Sequence, residues 1–343
     1  MNGVNKRPWV ISAVGLGLIG LAVWQLRINP FVPPPQTAFA SVAASPKPTD
    51  EPITPLPESL ALDARKVALG SRLFHDPRLS GDNSVACASC HALDRGGADG
   101  RARSIGIDGQ TAAVNAPTVF NSGFNFRQFW DGRAESLEDQ IDGPLNHPGE
   151  MSSSWPEVIG KLKNDAGYVS TFAAIYPEGI QARNIKDAIA TFERALITPN
   201  SRFDKYLRGE RGALTADELG GYRLFRSYGC IACHQGVNVG GNMFERMGVM
   251  DDYFNDRGNI TPADLGRFNV TRNEEDKHMF KVPGLRNVAL TAPYFHDGSA
   301  VTLEQAVTIM GKYQLGVAIP SGDVALIVAF LKTLTGEFTG KPQ

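Results

Sequence analysis

The sequence predicts a mainly α-helical protein built as two tandem helical domains behind an N-terminal membrane segment. Three observations predict it. The pattern Cys-x-x-Cys-His occurs twice, at Cys87–His91 and Cys230–His234, and uses all four cysteines of the chain. Each copy follows a helix-like stretch, Asp63 to Phe74 and Thr215 to Tyr228, that contains Gly-x-Arg-Leu-Phe, at Gly70–Phe74 and Gly221–Phe225. Strand signals are few.

The N-terminus comes first in the chain. Lys6 and Arg7 precede an uncharged run from Trp9 to Leu26. Eighteen helical residues rise about 27 Å, close to the thickness of a bilayer's hydrocarbon core. The basic residues lie before the run, so the rest of the chain is expected outside the inner membrane. Ala38-Phe39-Ala40 resembles a cleavage site but lies far beyond the apolar run. The reading for 1–29 is therefore an uncleaved anchor, with a cleaved signal segment as its alternative. Either way the chain is exported and periplasmic. Residues 30–57 hold nine prolines and read as a semi-extended linker, with the globular part starting near Glu58.

Each Cys-x-x-Cys-His has the chemistry of a c-type haem site. Two thiols add across the two vinyl groups of one porphyrin, and the adjacent histidine becomes the proximal iron ligand. Zinc or disulfides would not explain a histidine directly after both cysteine pairs. Two haem c are expected, on Cys87, Cys90 and His91, and on Cys230, Cys233 and His234. Helix, haem motif and ligand-bearing segment in that order make a cytochrome c-like domain. The expected boundaries are 58–212 and 213–343. Further helices are expected at Asn184 to Ile197, Leu303 to Met310 and Asp323 to Leu334. Long Gly- and Asn-rich segments, Asp94 to Arg127 and Gly236 to Arg267, would wrap the porphyrins. The net charge of −2 carries no footprint for nucleic acid.

Leu73-Phe74-His75-Asp76-Pro77-Arg78-Leu79-Ser80, Asn115-Ala116-Pro117-Thr118, Phe129-Trp130-Asp131-Gly132-Arg133, Glu150-Met151, Phe280-Lys281-Val282-Pro283 and Thr291-Ala292-Pro293-Tyr294-Phe295-His296-Asp297-Gly298 carry a resemblance. On these motifs the chain from about Ala61 to Gly336 closely resembles the bacterial dihaem cytochrome c peroxidases, a family that also contains MauG. The resemblance implies reduction of hydrogen peroxide to water with electrons from a small cytochrome c or cupredoxin. The C-terminal haem would accept electrons and the N-terminal haem would reduce peroxide. Dimerisation, usual in the family, is an expectation of the same kind.

The resemblance also implies roles. The chain has seven methionines, and the residues alone leave Met279 open beside Met310 as sixth ligand of the C-terminal haem. The family spacing, fourteen residues after His296, selects Met310. A thioether there raises the potential and blocks ligand access. Glu150 matches the catalytic acid–base glutamate, Gln140 a distal glutamine, and Trp130 the tryptophan between the haems. Asn115, Thr291 and Pro293 match an inter-domain calcium site of oxygen ligands. One departure stands out. Many relatives cap the resting N-terminal iron with a histidine sixteen residues after the proximal one; here that position is Ile107. His147, three residues before Glu150, is a candidate replacement, whereas His75 reads as structural. An uncapped site is also MauG-like, so an oxidase acting on a partner protein is the second reading. Met310 favours the peroxidase, because MauG-type chains carry tyrosine there.

Overall fold

The computed structural model describes residues 51–338, which belong to one compact unit. The expected anchor and most of the linker lie outside the described residues. Among the described residues no helix is long and apolar enough to cross a membrane.

The architecture is mainly helical, as expected. The helices are α1 (Ala64–Phe74), α2 (Cys87–Cys90), α3 (Leu137–Asn146), α4 (Trp155–Lys163), α5 (Ala166–Ile175), α6 (Ala182–Ala195), α7 (Arg202–Leu207), α8 (Ala216–Ser227), α9 (Tyr253–Arg257), α10 (Phe268–Thr271), α11 (Leu303–Leu315) and α12 (Ser321–Lys332). One antiparallel pair, β1 (Phe244–Arg246) and β2 (Met279–Lys281), joins the second long loop to the segment before Pro283.

Local chemistry starts the two haem-leading helices. Asp63 caps α1 by accepting from the Arg65 N–H. Thr215 and Glu218 close a capping box on α8. Each helix then crosses a later one at its repeat glycine. A Cβ on Gly70 would lie 1.9 Å from the Ala188 oxygen in α6. One on Gly221 would lie 1.9 Å from the Leu326 oxygen in α12. The repeated glycine is thus the contact point of two crossing backbones, and the repeated phenylalanines, Phe74 and Phe225, are both buried beside it.

Two hydrophobic clusters form around these crossings. One gathers residues from Val67 to Leu196; the other gathers Ile53 and residues from Phe203 to Leu334. Two sequence boundaries shift as a result. The expected N-terminal domain included α7, yet Phe203 of α7 packs edge-on against Tyr222 and Phe330 in the second cluster. The expected linker ran to residue 57, yet Ile53 and Leu56 are buried. Arg286 draws this stretch in, donating to Thr54 O at 3.0 Å and pairing with buried Asp204. The two cores are joined at Thr198. Asn121 and Asn287 each donate a side-chain N–H to its hydroxyl, at 2.8 and 2.9 Å.

Candidate functional site

The second motif opens onto a cavity of about 420 Å³, within the range of cofactor pockets. Cys230, Cys233 and His234 line it, and α11 contributes Leu303, Val307, Met310 and Gln314. Their spacing of three and four residues puts one face of α11 on the cavity. Of the described methionines, Met247 and Met310 line it and Met279 does not. Burial pushes the His234 imidazole down to about 4, so the ring is neutral, the form that binds iron. His234 Nδ1 is buried without a hydrogen-bond partner among the described residues. Two unpaired thiols on one turn, a neutral imidazole and a thioether from another helix fit a covalently attached haem.

The first motif is the short helix α2 with His91 as its C-cap. His91 Nδ1 lies 3.4 Å from Gly97 O; donating there leaves Nε2 for iron. Burial lowers the His91 pKa, so this ring is also neutral. Burial is the main cause that raises the Cys90 pKa, and Asp99 and Glu150 add to it. Glu150 is therefore within electrostatic reach of the first motif.

The Glu150 backbone is clamped. Gly106 has no room for a side chain, because a Cβ would lie 2.2 Å from Gly149 O and 2.7 Å from Glu150 Cα. Ile107, in the next position, is buried and donates its N–H to Glu150 O at 2.9 Å. His147 caps the C-terminus of α3 and its side chain is half exposed. Its Nδ1 accepts from the Gly149 N–H at 3.1 Å and lies 3.8 Å from Glu150 Oε1. Gln140 lies on α3 three residues before Gly143, on the face that meets Phe129. His75 is exposed and bonds Ser71 O within its own helix end.

Trp130 and His296 meet beside the second cavity, which both line. Their ring centroids are 6.4 Å apart and the planes cross at 72°. Asn115 ties them together: its carbonyl accepts from Trp130 Nε1–H at 2.9 Å, and its N–H donates to His296 O at 2.7 Å. His296 Nε2 donates to Asp264 Oδ1 at 2.7 Å, with both side chains buried. Burial alone would raise the Asp264 pKa, but hydrogen bonds from Arg257, Thr261 and His296 hold it well below the usual carboxylate range. Among the described residues, Asp264, His296 and Asp297 are close enough to share a cation. The Arg257 guanidinium already supplies the positive charge, bonding both carboxylates. Asn115, Thr291 and Pro293 also line the cavity. The Asn115 amide N–H₂ donates to Arg101 O at 2.8 Å, which leaves its Oδ1 as an acceptor.

Trp130 and His296 occupy matching places. Gln128–Ala134 and Tyr294–Ala300 each close an isolated antiparallel bridge. Phe129 and Phe295 have φ of 68° and 71°, and Gly132 and Gly298 have φ of 67° and 68°. The shared Phe-x-Asp-Gly was present in the sequence and marks this correspondence. Two further residues emerge only from the structure. Lys281 lies in β2, is 7% exposed and lines the cavity. Glu193 of α6 is 5% exposed, and burial pushes its carboxyl up to about 8. After burial, Glu193 is the next cause that raises the Cys87 pKa, so its carboxyl is within electrostatic reach of the first motif.

Comparison with known proteins converges on one family. Residues 64–212 match the family described as di-haem cytochrome c peroxidase. The chain is 53% identical over 302 residues to the cytochrome c peroxidase Ccp of Escherichia coli, covering 88% of this chain and 64% of that one. It is 46% identical over 289 residues to the cytochrome c551 peroxidase of Nitrosomonas europaea, covering 84% of this chain and 85% of that one. The crystal structure of a MauG-like protein associated with microbial copper homeostasis superimposes with a TM-score of 0.73 at 32% identity, covering 87% of this chain and 96% of that chain. Two complete haem-attachment motifs, in a mainly helical fold shared with such proteins, place this chain in the di-haem cytochrome c peroxidase family.

Proposed function

We propose that the protein is a periplasmic peroxidase that takes two electrons and two protons to convert hydrogen peroxide into two waters. The observation that carries the reading is Glu150, clamped by its backbone within reach of the first haem motif. The haems, when bound, supply the iron chemistry and store the electrons. The chain's own contribution is placement and proton handling. Glu150 takes the proton from the near peroxide oxygen and returns it to the leaving oxygen. Gln140 is the second polar group of the distal side. Ile107 keeps an apolar side chain where a ligand would block the iron. His234 and Met310 would hold the second haem, and Trp130 would stand between the two.

The halves are read as two cytochrome c-like domains, each with one haem c. Asn115 Oδ1 and the carbonyls of Thr291 and Pro293 are proposed to hold a calcium ion. The electrons come from a small cytochrome c or cupredoxin, the N-terminal segment holds the chain to the inner membrane, and two copies form a homodimer. The second reading, a MauG-like oxidase, draws on Ile107 and on the similarity to a MauG-like structure. The deciding experiment mixes the holoprotein with peroxide and a reduced small cytochrome c. Catalytic oxidation of the cytochrome, two equivalents per peroxide, is expected. Peroxide consumption only in the presence of an oxidisable partner protein would replace the peroxidase reading with the oxidase.

A further inference from the structure

A buried ammonium is costly unless an anion or hydrogen-bond acceptors meet it. Three basic side chains line the cavity of the second motif: Arg246, Arg286 and Lys281. Arg246 spends its guanidinium on the carbonyls of Lys277 and Glu275, both at 2.7 Å. Arg286 pairs with Asp204 and donates to Thr54 O. Lys281 differs. Among the described residues its ammonium has neither a salt bridge nor a hydrogen bond, although the residue is 7% exposed. Burial alone pushes its pKa down to about 8, with no neighbouring charge offsetting it.

The backbone fixes Lys281 on the cavity wall. It pairs with Phe244 in the β1–β2 ladder, and its N–H donates to Trp130 O at 2.8 Å. The counter-charge must then come from what the cavity holds. A haem brings two anionic groups, its propionate carboxylates.

We propose that Lys281 is the binding residue for a propionate of the C-terminal haem. This rests on reading the cavity as that haem's site. The Lys281 backbone N–H donates to the Trp130 carbonyl, so the residue that binds the propionate is tied to the backbone of the tryptophan. It also sets the haem's potential, because a nearby positive charge disfavours the oxidised iron, which carries one more positive charge than the reduced iron.

The test is a spectroscopic redox titration of the holoprotein, with Lys281→Gln and Lys281→Arg, alongside a count of attached haems. Two haems in the wild type are required by the underlying site reading; a chain lacking haem on Cys230 and Cys233 would sink that reading first. With two haems present, Lys281→Gln should lower the C-terminal midpoint, by roughly a tenfold or larger change in the electron-exchange equilibrium. Lys281→Arg should stay near wild type. An unchanged C-terminal midpoint, or a shift confined to the N-terminal haem, overturns the proposal. Where Lys281→Gln fails to load haem, resonance Raman decides between wild type and Lys281→Arg. A propionate bending band that moves with the Lys-to-Arg exchange supports the pairing, and an unmoved band refutes it.

Discussion

Ile107 and Glu150 are joined backbone to backbone: the Ile107 N–H donates to the Glu150 carbonyl at 2.9 Å. The residue at the usual capping position and the residue proposed to handle protons therefore share one rigid contact. Gly106 presses on the same point. A change in either segment is felt by the other.

Glu150→Gln should leave both haems attached and slow peroxide cleavage by roughly 10²-fold or more, the scale of lost general acid–base catalysis. Pre-steady-state mixing with peroxide measures it. Turnover within a few-fold of wild type would remove Glu150 from the mechanism.

An isoleucine cannot ligate iron. The all-ferric protein should show a high-spin N-terminal haem and react with peroxide without prior reduction. Stopped-flow mixing reports this directly. A purely low-spin and unreactive ferric protein would mean that another group caps the iron, with His147, 3.8 Å from Glu150, the first to mutate.

Met310→Ala should abolish the far-red thioether-to-iron band of the C-terminal haem and lower its potential. Met279→Ala should do neither, since Met279 is not on the cavity wall. Met247→Ala is the sharper control, because Met247 does line it. A lost band in that variant, with Met310→Ala unaffected, would reassign the ligand.

Glu193 gives a pH dependence of stability. Its carboxyl is raised from 4.5 to about 8 by burial. A raised carboxyl binds its proton more tightly in the folded state. Its contribution is fullest below the unfolded pKa and falls as pH rises towards 8, then levels off. The slope is at most about 1.4 kcal/mol per pH unit. Glu193→Gln should flatten that part of the urea-midpoint profile between pH 5 and 8. Equal slopes in the two proteins would show that Glu193 is already ionised in the fold.

Much of this was readable in the chain because the signals are local. Asp63 and Thr215 write their helix starts within four residues, and α1 and α8 begin where those caps stand. α11 was legible but ran to Leu315 rather than Met310, since Gly316 and not the methionine ends it. Glu193 was partly legible: it stands four residues after Ile189 and eight after Ile185, on the buried face of α6, but a charge there reads as solvated. The allegiance of α7 was not. Six residues carry no usable period, and Phe203 is assigned only by the aromatic rings it meets. Lys281 was also silent, because its isolation depends on two arginines finding partners elsewhere.

The glycine crossings set how freely the chain can vary. At Gly70 and Gly221 a single added carbon would overlap a backbone oxygen, and that oxygen belongs to a helix, so it cannot step aside. Most of α1 and α8 can be rewritten as long as the apolar stripe survives. These two positions cannot, whatever haem chemistry the molecule performs. In a saturation library selected only for a folded holoprotein, they should return glycine while the arginines two places on, Arg72 and Arg223, drift. The duplicated pattern thus holds two kinds of memory: cysteines and histidines kept by a cofactor, and glycines kept by the distance between two helix axes.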